Sequence, residues 1–214
     1  MENVHSETYS LLIDTYIKDS DEKYRMLNAI QYYPCIKKKT DWAVKWIGDE
    51  KSSFATRLVS FAIVEGLFFS SSFASIFWIK KKNILPGLCL SNEYISRDES
   101  LHVAHAIMLY LQNKLSDKDF FEITKEAVDI EIEFITLAIP CRMIGMNATL
   151  MISYIKFVAD RLCLQLGYDK IYGDKNPLDF MESISLDLKT NMFEARISDY
   201  GLADKTKTED VFDF

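Results

Sequence analysis

Apolar residues recur at helical spacing along most of the chain, broken by short polar or Pro/Gly punctuation. Residues 1–18 carry Leu11, Leu12, Tyr16 and Ile17 on one pattern, closed by Asp19, Ser20 and Asp21. The pattern predicts further helices over residues 22–33, stopped at Pro34, and over 40–47, where Trp42 and Trp46 stand one turn apart. A long apolar helix follows from 54 to 82, broken over 83–87 with Pro86-Gly87 as the turn signal. The remaining helices are predicted over 90–115, from an N-cap at Ser116-Asp117 to Pro140, and over 143–166, closed by Gly167. Residues 174–177 read as loop and 191–200 as a last short helix. From Gly201 the sequence turns small, charged and aperiodic, as mobile tails are. The sum is an all-α chain of seven or eight helices, divided into a domain over 1–200 and a tail over 201–214.

The most hydrophobic helix changes that picture least. Between Leu58 and Ile79 Glu65 is the single charge, and the stretch is long enough to span a bilayer. A carboxylate a third of the way along is costly in lipid, so a helix buried within a large bundle is the better account, with no membrane partner. The 214 residues are 49% apolar and 27% charged, enough for a large core. Only seven glycines and four prolines agree with long helices. A net charge of −7 argues against a general nucleic-acid binder. Cys35, Cys89, Cys141 and Cys163 show no paired spacing and read as reduced thiols of a cytoplasmic protein.

Candidate chemistry lies in two ExxH pairs, Glu2 with His5 and Glu99 with His102. Three residues rotate a helix by about 300°, so each pair shares a face. Either pair alone would be an ordinary solvated helix face. Glu65 alone could pair with Arg57 or Arg97. Ferritin-like bundles hold two metal ions with ExxH from two helices and a single carboxylate from each of two others; two ExxH helices and a buried glutamate on a third supply that set except for one single-carboxylate helix, which is not visible here. Carboxylate and imidazole donors with open positions suit iron or manganese.

Tyr9 lies four residues after His5, one turn beyond the ligand face. A phenol beside an O₂-activating centre can be oxidised to a radical. Phe69 and Phe73, four and eight residues after Glu65, would wall that radical with apolar rings. Asp98 lies four residues before His102 and is placed to accept a hydrogen bond from a ligand histidine, His5 being the candidate. His105 reads as a non-ligand.

The strings MENVHSETYSLLIDTY (1–16), VEGLFF (64–69), FASIFW (73–78) and ISRDESLH (95–102) closely resemble the small, radical-generating subunit of class I ribonucleotide reductase. IGMN (144–147) and NPLDFME (176–182) extend the resemblance over nearly the whole chain. It implies a ferritin-like helical bundle that works in deoxyribonucleotide synthesis. It implies two iron ions, or manganese in their place, held by Glu2, His5, Glu65, Glu99 and His102. Tyr9 matches the radical tyrosine, and Asp98 the aspartate of the electron-transfer path. Tyr200 matches the tyrosine that relays the radical onward. The terminal segment with Phe212 and Phe214 matches the tail that docks on a large subunit, where the ribonucleotide is reduced. A homodimer is implied as well.

Three departures qualify the match. The family carries a sixth ligand, an aspartate, and a tryptophan of the radical path on a segment before the position of Met1, so five of six protein ligands are expected here. Without that segment, core-facing sides of the first helix and of the 58–79 stretch would be uncovered. Thr208 stands where the family has an aromatic residue, and Ser71 and Ser100 where it favours glycine. Two other readings stay open: a catalytically impaired paralogue acting as an interaction subunit, and another ferritin-like di-iron protein.

Overall fold

A computed structural model describes residues 1–112, 114–139 and 145–181. Among these the elements are α1 (Glu2–Tyr16), α2 (Ser20–Leu27), α3 (Ala29–Tyr32), α4 (Pro34–Ile47) and α5 (Phe54–Ile63), then a π-helical turn (Val64–Phe68). After it come α6 (Ser70–Lys81), α7 (Pro86–Tyr110), α8 (Asp117–Ala138) and α9 (Ala148–Gln165). No strand is found among the described residues. The 191–200 helix and the 201–214 tail lie outside them, as do Tyr200, Thr208, Phe212 and Phe214.

Local chemistry sets the helix starts. Asp19, Ser53, Ser116 and Asn147 each accept a hydrogen bond from a backbone N–H three residues on, which satisfies one of the donors a helix N-terminus leaves free. Pro34 and Pro86 differ from expectation. Both were expected as breaks, yet each opens a helix, because a fixed φ and a missing N–H suit the first helical turn. The break before α7 falls within the expected 83–87 stretch, at Asn83 and Leu85, which take left-handed φ values of 55° and 52°. The 22–33 helix is two pieces, with Asn28 between them. Gly167, at φ +79°, ends α9 as expected.

The bundle centres on the Phe54–Lys81 helix. It is the one described helix long and apolar enough to cross a membrane by length and composition. Its first half packs on α4, α7 and α8, and its second on α7, α8 and α9, while α8 lies along α9. Val59, Ile63, Leu67 and Ala74 contribute fully buried side chains from this helix to one core cluster with Ile155 and Ala159 of α9 and Ala127 and Val128 of α8. At about 25 cal/mol per Å² of apolar surface, such a core is the main stabilising contribution. α1 packs against α2 and α7 at the edge of the bundle, and His5 is its buried residue.

Candidate metal centre

Three elements meet at one place. α1 brings Glu2 and His5, the π turn brings Glu65, and α7 brings Asp98, Glu99 and His102. Gly66 permits the approach of the π turn to α7: a Cβ there would lie 3.3 Å from Cγ2 of Val103. The Glu65 carboxylate, 9% exposed, comes 3.8 Å from His102 Nδ1, which is 2.8 Å from Glu99 Oε2 and 3.5 Å from Glu2 Oε1. His5 Nδ1 lies 3.0 Å from Glu99 Oε1 and 3.5 Å from Glu2 Oε2. Donor atoms of Glu2, Glu99 and His102 all fall within 4.8 Å of one another. His105 is exposed on the outside of α7. Arg57 is occupied by the Ile47 carbonyl, which its Nε donates to at 2.9 Å.

The donor set fits a cation. His5 Nε2 is 3.0 Å from Asp98 Oδ2. An N–H donated there leaves the Nδ1 lone pair facing the Glu99 carboxylate. His5 Nδ1 and Glu65 Oε2 are both buried with carboxylates nearby but no well-formed hydrogen bond, an arrangement that costs free energy unless a cation or a proton lies beside each. Electrostatics register the crowding. Burial, a hydrogen bond with Glu99, and the charges of Glu99 and Glu2 push Glu65 far above the carboxylate range, to about 9. Burial pulls His5 down, but the Asp98 hydrogen bond and the charges of Glu2, Glu99 and Asp98 outweigh it and leave it raised. Without a metal, protons thus take part of the cation's place.

Tyr9 is half-buried on the same helix. Its phenol is pushed up to about 12 by burial, with the Glu99 charge adding to it. Phe73 lines a cavity of about 240 Å³ whose walls include Glu65, Glu99, Arg161 and Asn176. Phe69 stands apart from that cavity. It is 36% exposed, its ring 6.0 Å from that of Phe73. Glu2 is the open side of the site, with its side chain 63% exposed.

Sequence reasoning missed the π turn and a buried pair behind it, Lys39 of α4 and Glu131 of α8, 2.8 Å apart. Glu131 had a signal. It falls on the stripe of Phe120, Thr124, Ala127, Val128 and Ile135, so its position was apolar even though its type was not.

The chain matches the family model described as "Ribonucleotide reductase, small chain" over residues 1–177. It is 56% identical over 220 residues to ribonucleoside-diphosphate reductase subunit M2 of Danio rerio, covering 99% of this chain and 57% of that one. It is 59% identical over 202 residues to the ribonucleoside-diphosphate reductase small chain of Spisula solidissima, covering 94% and 53%. The chain therefore spans about half the length of these curated relatives. Among solved structures, the ribonucleotide reductase Rnr4 homodimer from Saccharomyces cerevisiae superposes with a TM-score of 0.76 at 35% identity, over 94% of this chain and 62% of that one. The ribonucleotide reductase R2 subunit from Clostridium botulinum, at 18% identity and a TM-score of 0.77, over 86% and 63%, supports the ferritin-like fold alone. Fold, matched segment and identities agree: this chain belongs to the ribonucleotide reductase small-chain family.

Proposed function

We propose that this chain serves as the radical-generating small subunit of a ribonucleoside-diphosphate reductase, with Glu2, His5, Glu65, Glu99 and His102 as ligands of two iron ions. The observation that carries the reading is the pair of orphaned atoms, His5 Nδ1 and Glu65 Oε2, buried where two ExxH helices and the π turn converge. Manganese satisfies the same donors. When bound, the metal pair supplies the oxidising equivalent that O₂ makes available. The protein's own residues do the rest. Asp98 holds the His5 ring so that Nδ1 faces inward. Glu65 and Glu99 are nearly buried and gather negative charge where the cations would sit. Tyr9 would give up one electron together with its phenolic proton, since a phenol raised to about 12 holds that proton at neutral pH.

The oxidising equivalent would leave through Asp98 toward Tyr200 and a cysteine of a separate large subunit, where the ribonucleotide is bound and reduced. The terminal segment with Phe212 and Phe214 would dock there, and a second copy of the chain would complete a homodimer in the cytoplasm. No glycine-rich phosphate loop occurs in the sequence to compete with this division of labour.

Anaerobic titration with ferrous iron tests the ligand assignment. Two ions per chain are expected, with loss of at least one in Glu65→Ala and in His102→Ala. Unchanged stoichiometry in both variants would refute it.

A further inference from the structure

Lys39 and Glu131 put opposite charges into the apolar seam between α4 and α8. Their side chains are 15% and 0% exposed, and the ammonium sits 4.1 Å from the Phe134 ring centroid and 5.3 Å from that of Phe68. A buried ion pair is seldom more stabilising than apolar residues of similar volume, so its contacts point to another role. The Lys39 ammonium also donates to the backbone carbonyl of Phe68, the last residue of the π turn. Where i→i+5 bonding returns to i→i+4, the helix has a carbonyl out of register with the regular ladder, and a side-chain donor can satisfy it. The other Glu131 oxygen receives the hydroxyl of Ser71, in the first turn of α6. The pair thus grips both sides of the junction, three residues from Glu65.

We propose that Lys39, held by Glu131, is a positioning residue: it caps the π turn and so fixes where the Glu65 carboxylate stands. The inference rests on reading Glu65 as a metal ligand. Lys45 and Glu126 provide an internal comparison. They join the same two helices at 3.0 Å but are 56% and 39% exposed, and Glu126 takes its further hydrogen bond from the Trp46 indole of α4.

The test compares the parent chain with Lys39→Met/Glu131→Gln and Lys45→Met. The double variant removes the cap without leaving a buried charge unpaired. Amide hydrogen exchange over residues 65–70 reads the turn without any metal, and titration with Co(II), followed by visible absorption, reads ligand placement. The double variant is expected to exchange about tenfold faster over 65–70, to bind Co(II) about tenfold more weakly and to shift its absorption bands. Lys45→Met is expected to resemble the parent in all three. Unchanged exchange in the double variant would overturn the cap. Faster exchange with unaltered Co(II) affinity and bands would overturn the positioning role. Equal effects in Lys45→Met would assign both to general α4–α8 packing. If the parent itself takes up no Co(II), the ligand reading falls and the positioning role with it, while exchange still decides the cap.

Discussion

His5 and Asp98 meet at 3.0 Å across the α1–α7 contact, and that one bond decides which way the imidazole faces. With Nε2 committed to the carboxylate, Nδ1 points toward Glu99 and Glu2. Asp98→Ala is expected to weaken metal binding roughly ten- to a hundredfold, the usual cost of losing the partner that orients a ligand histidine. Asp98→Asn, which keeps an acceptor oxygen, should lose less. Competition titration against a chromogenic chelator measures both. Equal affinity in the parent and Asp98→Ala would rule out the orienting role.

Glu65 links the site to pH. Its pKa in the folded chain, about 9, lies above the ordinary carboxylate value because burial and the neighbouring Glu99 and Glu2 disfavour its charge. The folded state therefore binds the proton more tightly than the unfolded one. The resulting stability is fully present below about pH 4.5 and is lost as pH rises toward 9. Glu65→Gln is expected to raise the metal-free unfolding temperature at pH 8 and not at pH 4. Removing on the order of 1 kcal/mol of strain corresponds to roughly 2–4 °C in a domain of this size. The same variant should lose metal binding. Thermal scans at the two pH values check the sign, and an unfolding temperature lowered at pH 8 would contradict it.

Metal uptake should release protons for the same reason. The proton on Glu65 must give way to the cation, and so must the proton that the neighbouring carboxylates favour on His5. Calorimetric titration in buffers of different ionisation enthalpy is expected to show net proton release at pH 7, and affinity should increase from pH 6 to pH 8. Buffer-independent heats would argue that the five side chains are already deprotonated.

Tyr9 should be separable from the ligands. After ferrous iron and O₂, electron paramagnetic resonance is expected to show a weak, short-lived tyrosyl signal, because the exposed Glu2 leaves one side of the site open to water. Tyr9→Phe should abolish that signal with iron stoichiometry unchanged. A signal of equal size in Tyr9→Phe would place the radical elsewhere.

Tyr94, Leu101 and Met108 form an exposed stripe on α7, 49%, 65% and 59% accessible and spaced seven residues apart, and Val4 and Leu11 of α1 are exposed as well. Apolar surface of this extent marks association. Concentration-dependent self-association is expected in analytical ultracentrifugation, and Leu101→Glu/Met108→Glu should reduce it. A stable, monodisperse parent monomer would contradict this.

The two ExxH pairs and Glu65 were legible because helical spacing converts sequence separation into angle, and a lone charge in an apolar helix needs a partner. The N-caps at Ser116 and the stop at Gly167 were legible for equally local reasons. The stop at Pro34 was legible, but the helix starts at Pro34 and Pro86 were not, because proline ends one helix and opens the next with the same chemistry. The π turn left no trace in residue type: Val64-Glu65-Gly66-Leu67-Phe68 is as compatible with an α-helix. Lys39 and Glu131 escaped because charges are expected at the surface, and only their tertiary contacts disclose that each has a buried partner.

A helix interrupted by a wide turn also carries an instruction about length. Deleting one residue from Gly66 to Phe68 would let the 28-residue run from Phe54 to Lys81 close into an unbroken α-helix. The wide turn already absorbs one residue more than an α turn needs, so Val59 and Ala74 on either side would keep the faces they bury. The core would tolerate that deletion, and the extra residue serves the site instead, through the carbonyl offered to Lys39 and the stance of Glu65. Lineages of this chain should shed the turn only where they also shed Glu65 as a ligand.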